Sequence, residues 1–543
     1  MAKNKYNSLT KTQLIELIRN LEEERKYGLV WDEESAPEKV VVDCHQKTPV
    51  LREVEEKRIA TQEDVLTHIL IEGDNYHSLA VLNYTHRKKI DLIYIDPPYN
   101  TGKAEEFLYN DKYVDINDQY RHSKWLSFIS KRLELAKELL SEKGVIFISI
   151  DDNEVAQLKL LCNRYFGEEN FIAQFVRKNK AGAGHDSGQI AVEFDYMLCY
   201  ARNKDKVVFE KEILDVENDP KYRLTDQHVK HRGKYYLRDL DYRGSYSESG
   251  DYPILTPEGT VILPGGRFGR PNTWRWSKEK VKWGIENDFI VFKKNNDQWK
   301  VYIKQYQFVD NKNKRRIRKL PYRALIQFLN SEGSQELNNI VKQNIFKFPK
   351  PTALIEFCIN LLPDKDITVL DFFAGSGTTG HAVLKANEKD GGKRQFILCT
   401  NNENRICEEV TFPRIKKAIQ GFTNLKGKKV KPLYGNLKYF KTAFASVGND
   451  ERRIIEEVCE VISIKENCLE LVRKNEQFLY FKGRNKHLFL IDGWSESLYE
   501  LLFSLEGEKV VYGQNLQEVM QSDLKNIRLE DLPTSLKMFQ HIL

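Results

Sequence analysis

Short apolar runs alternate with segments of helical periodicity in two separate parts of the chain, and this alternation restricts the fold. The runs 90–95 and 145–150 flank a segment, 124–140, whose apolar residues recur at helical spacing. The runs 367–371 and 395–399 repeat this pattern further along the chain. Apolar strands that alternate with helices are typical of a parallel sheet that is covered on both faces. The sequence therefore predicts an α/β fold.

A proline corner follows the first of these runs and consists of Asp96, Pro97, Pro98 and Tyr99. Proline lacks an amide donor and fixes φ, so two prolines end a strand abruptly. These residues are also an ordinary turn signal. They nevertheless offer a carboxylate, a carbonyl oxygen and an aromatic ring together. A planar base with an amino group needs two acceptors and a stacking surface, so the corner is a candidate site for base chemistry.

A glycine motif begins at Asp371, between an apolar run and a helical segment, and includes Phe373, Gly375 and Gly377. Glycines let the backbone approach a ligand closely, and a helix N-terminus favours anionic groups. Glu403 follows the next predicted strand, where it could hold ribose hydroxyls. The Gly-x-Gly-x-x-Gly spacing makes a nicotinamide-dependent dehydrogenase a competing interpretation, whereas the lysine of a Walker loop is absent from the motif.

Positive charge is concentrated in the middle of the chain. Residues 203–345 contain 28 Lys and Arg against 19 Asp and Glu, while the whole chain carries a net charge of only +6. Four of the seven tryptophans lie in 274–299, where they are expected to form a core. We predict a mixed or β-rich insert that binds a polyanion. A basic run in it either contacts phosphates or is a solvated loop; its cations are Lys312, Lys314, Arg315, Arg316, Arg318 and Lys319.

The two ends of the chain carry weaker patterns. Residues 8–27 predict a helix that is capped by Ser8 or Thr10, and residues 32–62 predict a loop or extended lead-in.

No apolar stretch approaches the roughly 20 residues of a membrane span. The eight cysteines include no Cys-x-x-Cys pair. We therefore expect a cytoplasmic protein without a metal site.

The two motifs together resemble those of S-adenosylmethionine-dependent amino-methyltransferases. The segment Phe373-Ala374-Gly375-Ser376-Gly377 is similar to the Phe-x-Gly-x-Gly cofactor loop of these enzymes, and Asp96-Pro97-Pro98-Tyr99 is similar to their catalytic motif. The catalytic motif comes first, an order that resembles the β-class of DNA methyltransferases. Over residues 65–440 the chain most resembles the modification (Mod) subunits of type III restriction–modification systems.

The resemblance implies a Rossmann-like methyltransferase fold with a circularly permuted motif order. It implies a catalytic domain formed by residues 63–202 and 346–440, and a target recognition domain at 203–345. Residues 1–62 would form an N-terminal segment whose helix could pack on a partner subunit or, equally, on the body of this chain. Residues 441–543 are expected to form a small α+β domain.

The resemblance also implies roles for single residues. Asp96, Pro97, Pro98 and Tyr99 would be catalytic. The methionine part of the cofactor would be lined by Asp371, Phe373, Gly375 and Gly377. The segment that leads into this pocket would be Lys350, Pro351 and Thr352. Asp74 resembles the acid that meets the cofactor adenine, and Glu403 would hold the ribose.

The implied reaction is methyl transfer from S-adenosylmethionine to the N6 amine of adenine in double-stranded DNA. The N4 amine of cytosine is the near alternative, because the same acceptors serve both amines. The family further implies a homodimer and a restriction (Res) subunit as partners. The same motifs and basic insert would also suit a solitary methylase, and the insert by itself would suit a non-catalytic DNA-binding protein.

Overall fold

The computed structural model divides the chain into two compact units, residues 1–209 with 323–543 and residues 210–322. Within the described residues, no helix has both the length and the apolar character needed to cross a membrane. The structure describes residues 10–25, 31, 38–61, 65–102, 108–109, 112–114, 116–182, 190–242, 244–265, 272–295, 298–341, 346–445, 451–513, 516 and 527–531.

A ten-stranded sheet forms the centre of the first unit. Its strands carry the apolar runs that the sequence singled out, and most of their side chains are buried. In spatial order the strands are Pro49–Glu53, Asn436–Phe444, Thr67–Glu72, Gln395–Thr400, Thr368–Asp371, Ile90–Ile95, Leu140–Ile150, Phe194–Ala201, Phe171–Lys178 and Leu325–Gln327.

The sheet is mixed, although the sequence predicted a parallel one. Its central strands pair in parallel, as expected for apolar runs separated by helices. The strand Phe194–Ala201 runs antiparallel to both of its neighbours. It can do so because no helix separates it from Phe171–Lys178 in the described residues, and antiparallel strands need no crossover helix between them.

Helices cover the central sheet. The long helix Arg121–Leu139 buries Trp125, Leu126, Ile129 and Leu133 on one face, which is the stripe that the sequence predicted. The described helices of this unit are Lys11–Arg25, Lys39–Gln46, Asn75–Thr85, Arg121–Leu139, Val155–Phe166, Asn330–Asn338, Thr352–Asn360, Thr378–Asp390, Phe412–Gln420, Glu451–Lys465 and Glu496–Ser504.

The two central strands Ile90–Ile95 and Thr368–Asp371 are neighbours, and the chain leaves them in opposite directions. After Ile90–Ile95 the next sheet strand is Leu140–Ile150, on one side of the pair. After Thr368–Asp371 the next sheet strand is Gln395–Thr400, on the other side. A crevice opens at the carboxyl ends of two such neighbouring strands. The proline corner and the glycine motif both begin at these two strand ends.

The N-terminal region is more ordered than the sequence predicted. The helix Lys11–Arg25 is preceded by Thr10, whose hydroxyl accepts a bond from the Gln13 amide at 3.3 Å. Ser8, the other predicted cap, lies outside the described residues. The lead-in 32–62 contains the helix Lys39–Gln46 and the strand Pro49–Glu53. That strand forms through long-range pairing with Asn436–Phe444, which no local pattern could reveal.

The C-terminal residues form a five-stranded sheet with the helices Glu451–Lys465 and Glu496–Ser504. This confirms an α+β arrangement, but residue 441 is not a boundary between compact units. Apolar residues of Glu451–Lys465, such as Val458 and Ile462, share one buried core with the central sheet. The C-terminal sheet is therefore part of the first unit.

The second unit is shorter than the predicted insert, 203–345, because Leu325–Gln327 joins the central sheet of the first unit. It contains a three-stranded antiparallel sheet, several two-stranded pairs and the helix Lys278–Glu286. Trp274 and Trp276 lie in its buried core, which confirms their expected role. Its β-strands are Glu212–Ile213, Tyr235–Asp239, Asp241–Tyr242, Ile254–Leu255, Val261–Ile262, Thr273–Trp274, Ile290–Asn295, Gln298–Tyr306 and Lys319–Leu320.

A buried ion pair joins two strands of the central sheet near its edge. Arg177 is 1% exposed, and its Nε donates to Asp195 Oδ1 at 2.7 Å. The same guanidinium donates to the Phe328 carbonyl at 3.1 Å and to Asn330 Oδ1 at 3.0 Å. Arg177 therefore connects these strands to the chain that returns from the second unit.

We expect Asp195→Ala to lower the free energy of unfolding by about 3–5 kcal/mol, because a buried guanidinium loses its carboxylate. The double variant Arg177→Met/Asp195→Leu removes both charges and should lose less. Urea denaturation followed by circular dichroism measures both losses. Equal losses in the two variants would contradict a dominant role for the unpaired charge.

Candidate active site

The proline corner presents a carboxylate that is already held by two donors. Lys350 Nζ lies 2.7 Å from both oxygens of Asp96, and the Tyr99 hydroxyl donates to Oδ1 at 2.9 Å. The Asp96 side chain is 27% exposed, whereas that of Lys350 is 9% exposed. A nearly buried ammonium thus fixes a carboxylate that remains accessible from outside.

The two proline carbonyls of the corner differ in their partners. Trp125 Nε1 donates to the Pro98 carbonyl at 2.7 Å, from the helix Arg121–Leu139. No hydrogen bond from the described part of the chain reaches the Pro97 carbonyl. The Pro97 oxygen therefore remains as the acceptor next to the Asp96 carboxylate.

Tyr99 is half-buried and lies beside the same ammonium, with Lys350 Nζ 5.0 Å from its ring centroid. Burial, and next the Asp96 charge, raise the pKa of Tyr99 well above its usual value. The phenol is therefore a neutral donor to Asp96 at ordinary pH.

Asp371 supports the glycine motif from within. Its Oδ1 accepts the Phe373 amide at 3.0 Å, and its Oδ2 accepts the Thr379 hydroxyl at 2.6 Å. Burial raises the pKa of Asp371 to about 7, although these two bonds oppose the shift. Both carboxylate oxygens are engaged inside the motif, so Asp371 shapes the loop. The sequence had placed it on the cofactor.

Gly375 and Gly377 have left-handed backbones, with φ of 45° and 78°, which side chains disfavour. The Gly375 carbonyl accepts the Thr411 hydroxyl at 2.5 Å. A Cβ at Gly377 would lie 3.2 Å from Thr411 Cγ2. The loop thus leads directly into the N-terminus of Thr378–Asp390, where backbone amides are available to a ligand.

The proline corner and the glycine motif begin at the ends of neighbouring strands. Their strands pair in parallel, with Leu370 opposite Ile93. Lys350 also links them, because its ammonium binds Asp96 while its carbonyl accepts the Thr378 hydroxyl at 3.1 Å. Lys350 was expected to lead into the cofactor pocket, and its ammonium instead lies on the candidate catalytic carboxylate.

A third loop joins this group at Asp74. Asn75 Nδ2 donates to the Phe372 carbonyl at 3.1 Å, which ties this turn to the glycine motif. Asp74 caps the helix Asn75–Thr85 by accepting the Tyr76 amide at 2.7 Å, and its side chain is 38% exposed. Asp74 therefore stabilises a helix start and remains accessible.

The other residues of the predicted cofactor set have different surroundings. Phe373 is half-buried and lies against Phe128, with ring centroids 5.9 Å apart. Thr352 is fully buried, and its hydroxyl donates to Glu336 at 2.9 Å, so it supports the start of its own helix. Pro351 immediately precedes that helix, and Glu403 is exposed in a short 3-10 turn after Gln395–Thr400.

The predicted phosphate-binding cations of the second unit fall into two groups. Arg318 is half-buried and donates to the Tyr306 carbonyl at 2.7 Å, and Lys319 lies 3.6 Å from Glu210. These two stabilise their own unit. The remaining four are exposed on one turn: Lys312, Lys314, Arg315 and Arg316.

Gly333 was missed by the sequence analysis, because its importance is not local. It lies in the helix Asn330–Asn338, and a Cβ there would be 2.1 Å from the Pro349 carbonyl oxygen. It would also be 2.7 Å from the Lys350 carbonyl carbon. Only glycine lets this helix support the backbone that carries the Lys350 ammonium to Asp96.

We expect Gly333→Ala to lower the free energy of unfolding by about 1–3 kcal/mol, the range for an overpacked interior. The methyl group would meet backbone atoms, which cannot turn aside as a side chain can. Urea denaturation measures the loss, and hydrogen exchange should accelerate at the Thr352 amide, which donates to Glu336 at 3.0 Å. Gly182→Ala is the control, because a Cβ there meets nothing within 4 Å. Equal effects in the two variants would contradict the packing argument.

Comparison with known proteins identifies the class to which this site belongs. The sequence profile described as DNA methylase matches residues 90–411, which include both motifs and the second unit. This range is more than half of the chain. A DNA methylase assignment accounts for the proline corner, which a nicotinamide-dependent dehydrogenase leaves unexplained.

Several curated relatives match most of the chain. The StyLTI Mod subunit of Salmonella typhimurium LT2, a type III restriction–modification enzyme, is 34% identical over 65% of this chain and 55% of its own length. The EcoPI Mod subunit of Escherichia phage P1 is 32% identical, over 74% of this chain and 68% of its own length. The EcoP15I Mod subunit of Escherichia coli is 32% identical, over 74% and 69%. The chain thus spans little more than half of the first relative and just over two thirds of the other two.

Among solved structures, PvuII DNA methyltransferase, whose title calls it cytosine-N4-specific, aligns with a TM-score of 0.35 and 12% identity. The alignment covers 65% of this chain and 87% of that one. The profile match and the EcoPI and EcoP15I alignments are sufficient without it: this chain belongs to the DNA methylase family, with the Mod subunits of type III restriction–modification enzymes among its relatives.

Proposed function

We propose that this protein transfers a methyl group from S-adenosylmethionine to the N6 amine of adenine in double-stranded DNA. We propose further that it is the modification subunit of a type III restriction–modification system. The observation that carries the proposal is the adjacency of Asp96 and the Pro97 carbonyl to the glycine motif. The similarity to Mod subunits supports the assignment of the system.

The residues of the glycine motif fit the cofactor. S-adenosylmethionine supplies, when bound, a methyl group on a positively charged sulfur. The left-handed backbones of Gly375 and Gly377 form the tight turn that leads into the helix Thr378–Asp390. The N-terminus of Thr378–Asp390 favours a carboxylate, and the Phe373 side chain is only half-buried. Asp74 would meet the adenine and Glu403 the ribose, since both keep exposed carboxylates.

Asp96 and Pro97 would act on the target amine. The exocyclic amine of adenine is a poor nucleophile, because its lone pair is delocalised into the ring. Hydrogen bonds from its two N–H groups to the Asp96 carboxylate and the Pro97 carbonyl would localise that pair on nitrogen. Orientation and electrostatics then lower the barrier without a covalent intermediate.

Lys350 and Tyr99 would prepare the carboxylate for this role. A carboxylate has about four lone-pair positions, so Asp96 can accept Lys350, Tyr99 and the target amine together. The two protein donors hold the oxygens in place before the base arrives, which reduces reorganisation. Tyr99 would also stack on the extruded base, whose removal from the duplex costs a few kcal/mol.

The second unit would choose the DNA sequence. Its exposed cations Lys312, Lys314, Arg315 and Arg316 are suited to phosphate contacts, which set register without reading bases. As partners we propose a Res subunit and a second copy of this chain. The helix Lys11–Arg25 exposes Ile15 and Ile18, a feature that suits it to a subunit contact.

The base is identified by incubating the protein with methyl-labelled S-adenosylmethionine and genomic DNA. We expect the label in N6-methyladenine after the DNA is digested and its nucleosides are separated. Label in N4-methylcytosine would show that the target base is cytosine and would leave the rest of the proposed mechanism unchanged. DNA that stays unlabelled while the cofactor binds would contradict methyl transfer. Sequencing of the modified DNA then gives the recognised site.

We expect Asp96→Ala to bind S-adenosylmethionine with nearly unchanged affinity and to lose methyl transfer by at least about a hundredfold, as when a key electrostatic group is removed. Calorimetry measures the first property, and label incorporation measures the second. Asp364→Ala is the control, because the Asp364 side chain is 49% exposed and outside the site. Full activity in Asp96→Ala would remove Asp96 from the mechanism.

A further inference from the structure

A fully buried acid lies beside the proline corner and has no part in the mechanism above. Glu154 is 0% exposed and follows the strand Leu140–Ile150, the neighbour of Ile90–Ile95 in the sheet. Its Oε1 accepts Asn100 Nδ2 at 2.5 Å and contacts His122 Nδ1 at 2.6 Å. Asn100 directly follows Tyr99, is 1% exposed and has a left-handed φ of 55°.

Hydrogen bonds at Asn100 set the path of the chain out of the proline corner. Besides Glu154, its Nδ2 also donates to the Arg121 carbonyl at 3.3 Å. Both bonds anchor the residue next to Tyr99, whose hydroxyl donates to Asp96. A displaced Asn100 would therefore displace the Tyr99 ring and, through it, the carboxylate.

Two residues at the start of the helix Arg121–Leu139 flank the Glu154 carboxyl. His122 Nδ1 lies 2.6 Å from Oε1, and His122 Nε2 lies 3.2 Å from Arg121 Nε. The Arg121 guanidinium also acts on Glu154, and its Nη1 has no hydrogen bond to any described residue. His122 therefore engages Oε1, the same oxygen that accepts Asn100 Nδ2.

Two buried oxygens in this cluster lack partners. Glu154 Oε2 and Asn100 Oδ1 have no hydrogen bond from any described residue. If Glu154 is ionised, both atoms are acceptors and neither can satisfy the other. A proton on Oε2 would turn it into a donor to Asn100 Oδ1. Together with the Nδ2–Oε1 bond, this closes a two-bond ring between a carboxylic acid and an amide.

We infer that Glu154 is a positioning residue that works as a neutral acid, holding Asn100 and thereby the Tyr99–Asp96 corner in the geometry for methyl transfer. The inference rests on the proposed function. Burial raises the pKa of Glu154, while the bond from Asn100, the charge and the bond of His122, and the Arg121 charge oppose the shift. Activity is therefore present while Glu154 is protonated and is lost as the pH rises through its raised pKa.

The test compares Glu154→Gln with Glu154→Leu in the full-length protein. A glutamine amide has the shape of the neutral acid and donates where the acid O–H donates. We expect Glu154→Gln to keep kcat within about twofold and to lose the decline at high pH. We expect Glu154→Leu to lower kcat on the order of tenfold to a hundredfold, because a small displacement of the Tyr99–Asp96 corner misaligns the reacting groups. The Kd for S-adenosylmethionine should be unchanged. Glu388→Gln, at an exposed position, is the control for removal of a carboxylate.

The outcomes separate this inference from the proposed function. Wild-type protein that never methylates DNA would overturn both. If the wild type methylates DNA but Glu154→Gln is as impaired as Glu154→Leu, only the neutral-acid role is overturned. Identical pH profiles for the wild type and Glu154→Gln would have the same consequence. A further readout needs no activity: the infrared difference spectrum between wild type and Glu154→Gln should contain the C=O band of a protonated carboxyl group at pH values above the usual pKa of a glutamate. Its absence would also refute the inference.

Discussion

The parallel pairing of Thr368–Asp371 with Ile90–Ile95 is the constraint on which the site depends. Because parallel strands point the same way, both carboxyl ends reach one edge of the sheet. The chain continues from each strand to a neighbour on the opposite side of this pair, which is the arrangement at which α/β sheets form ligand crevices. In the proposed reaction a methyl donor and a target base must meet at atomic distance, and this pairing brings together loops that are far apart in sequence.

Lys350 adds a second connection between the same two loops. Its ammonium is nearly buried on the Asp96 carboxylate, and its carbonyl accepts the Thr378 hydroxyl at the end of the glycine motif. A buried charge is costly unless it is paired. The contact between Lys350 and Asp96 therefore both stabilises the proline corner and orients its carboxylate. The close packing of Gly333 against the 349–350 backbone fixes where the ammonium can reach.

Several polar groups from different elements hold the proline corner in place. Trp125 occupies the Pro98 carbonyl, Lys350 and Tyr99 hold Asp96, and Asn100 with Glu154 anchors the chain that leaves the corner. These bonds come from several different elements of the first unit. In the proposed mechanism the Pro97 carbonyl and the Asp96 carboxylate are the two acceptors for the target amine, and the bonds around them supply the preorganisation that amine activation requires.

The sequence alone determined the central apolar strands, the two motifs and their order, because apolar periodicity, proline and glycine act locally on the backbone. It also showed that the tryptophans at 274 and 276 belong to a core. Only the tertiary structure decided that Pro49–Glu53 joins the sheet, that Asp371 braces its own loop, and that Lys350 lies on Asp96. These depend on contacts between residues distant in the chain, and a lysine or an acid has the same local pattern whether it meets solvent, a ligand or a buried partner.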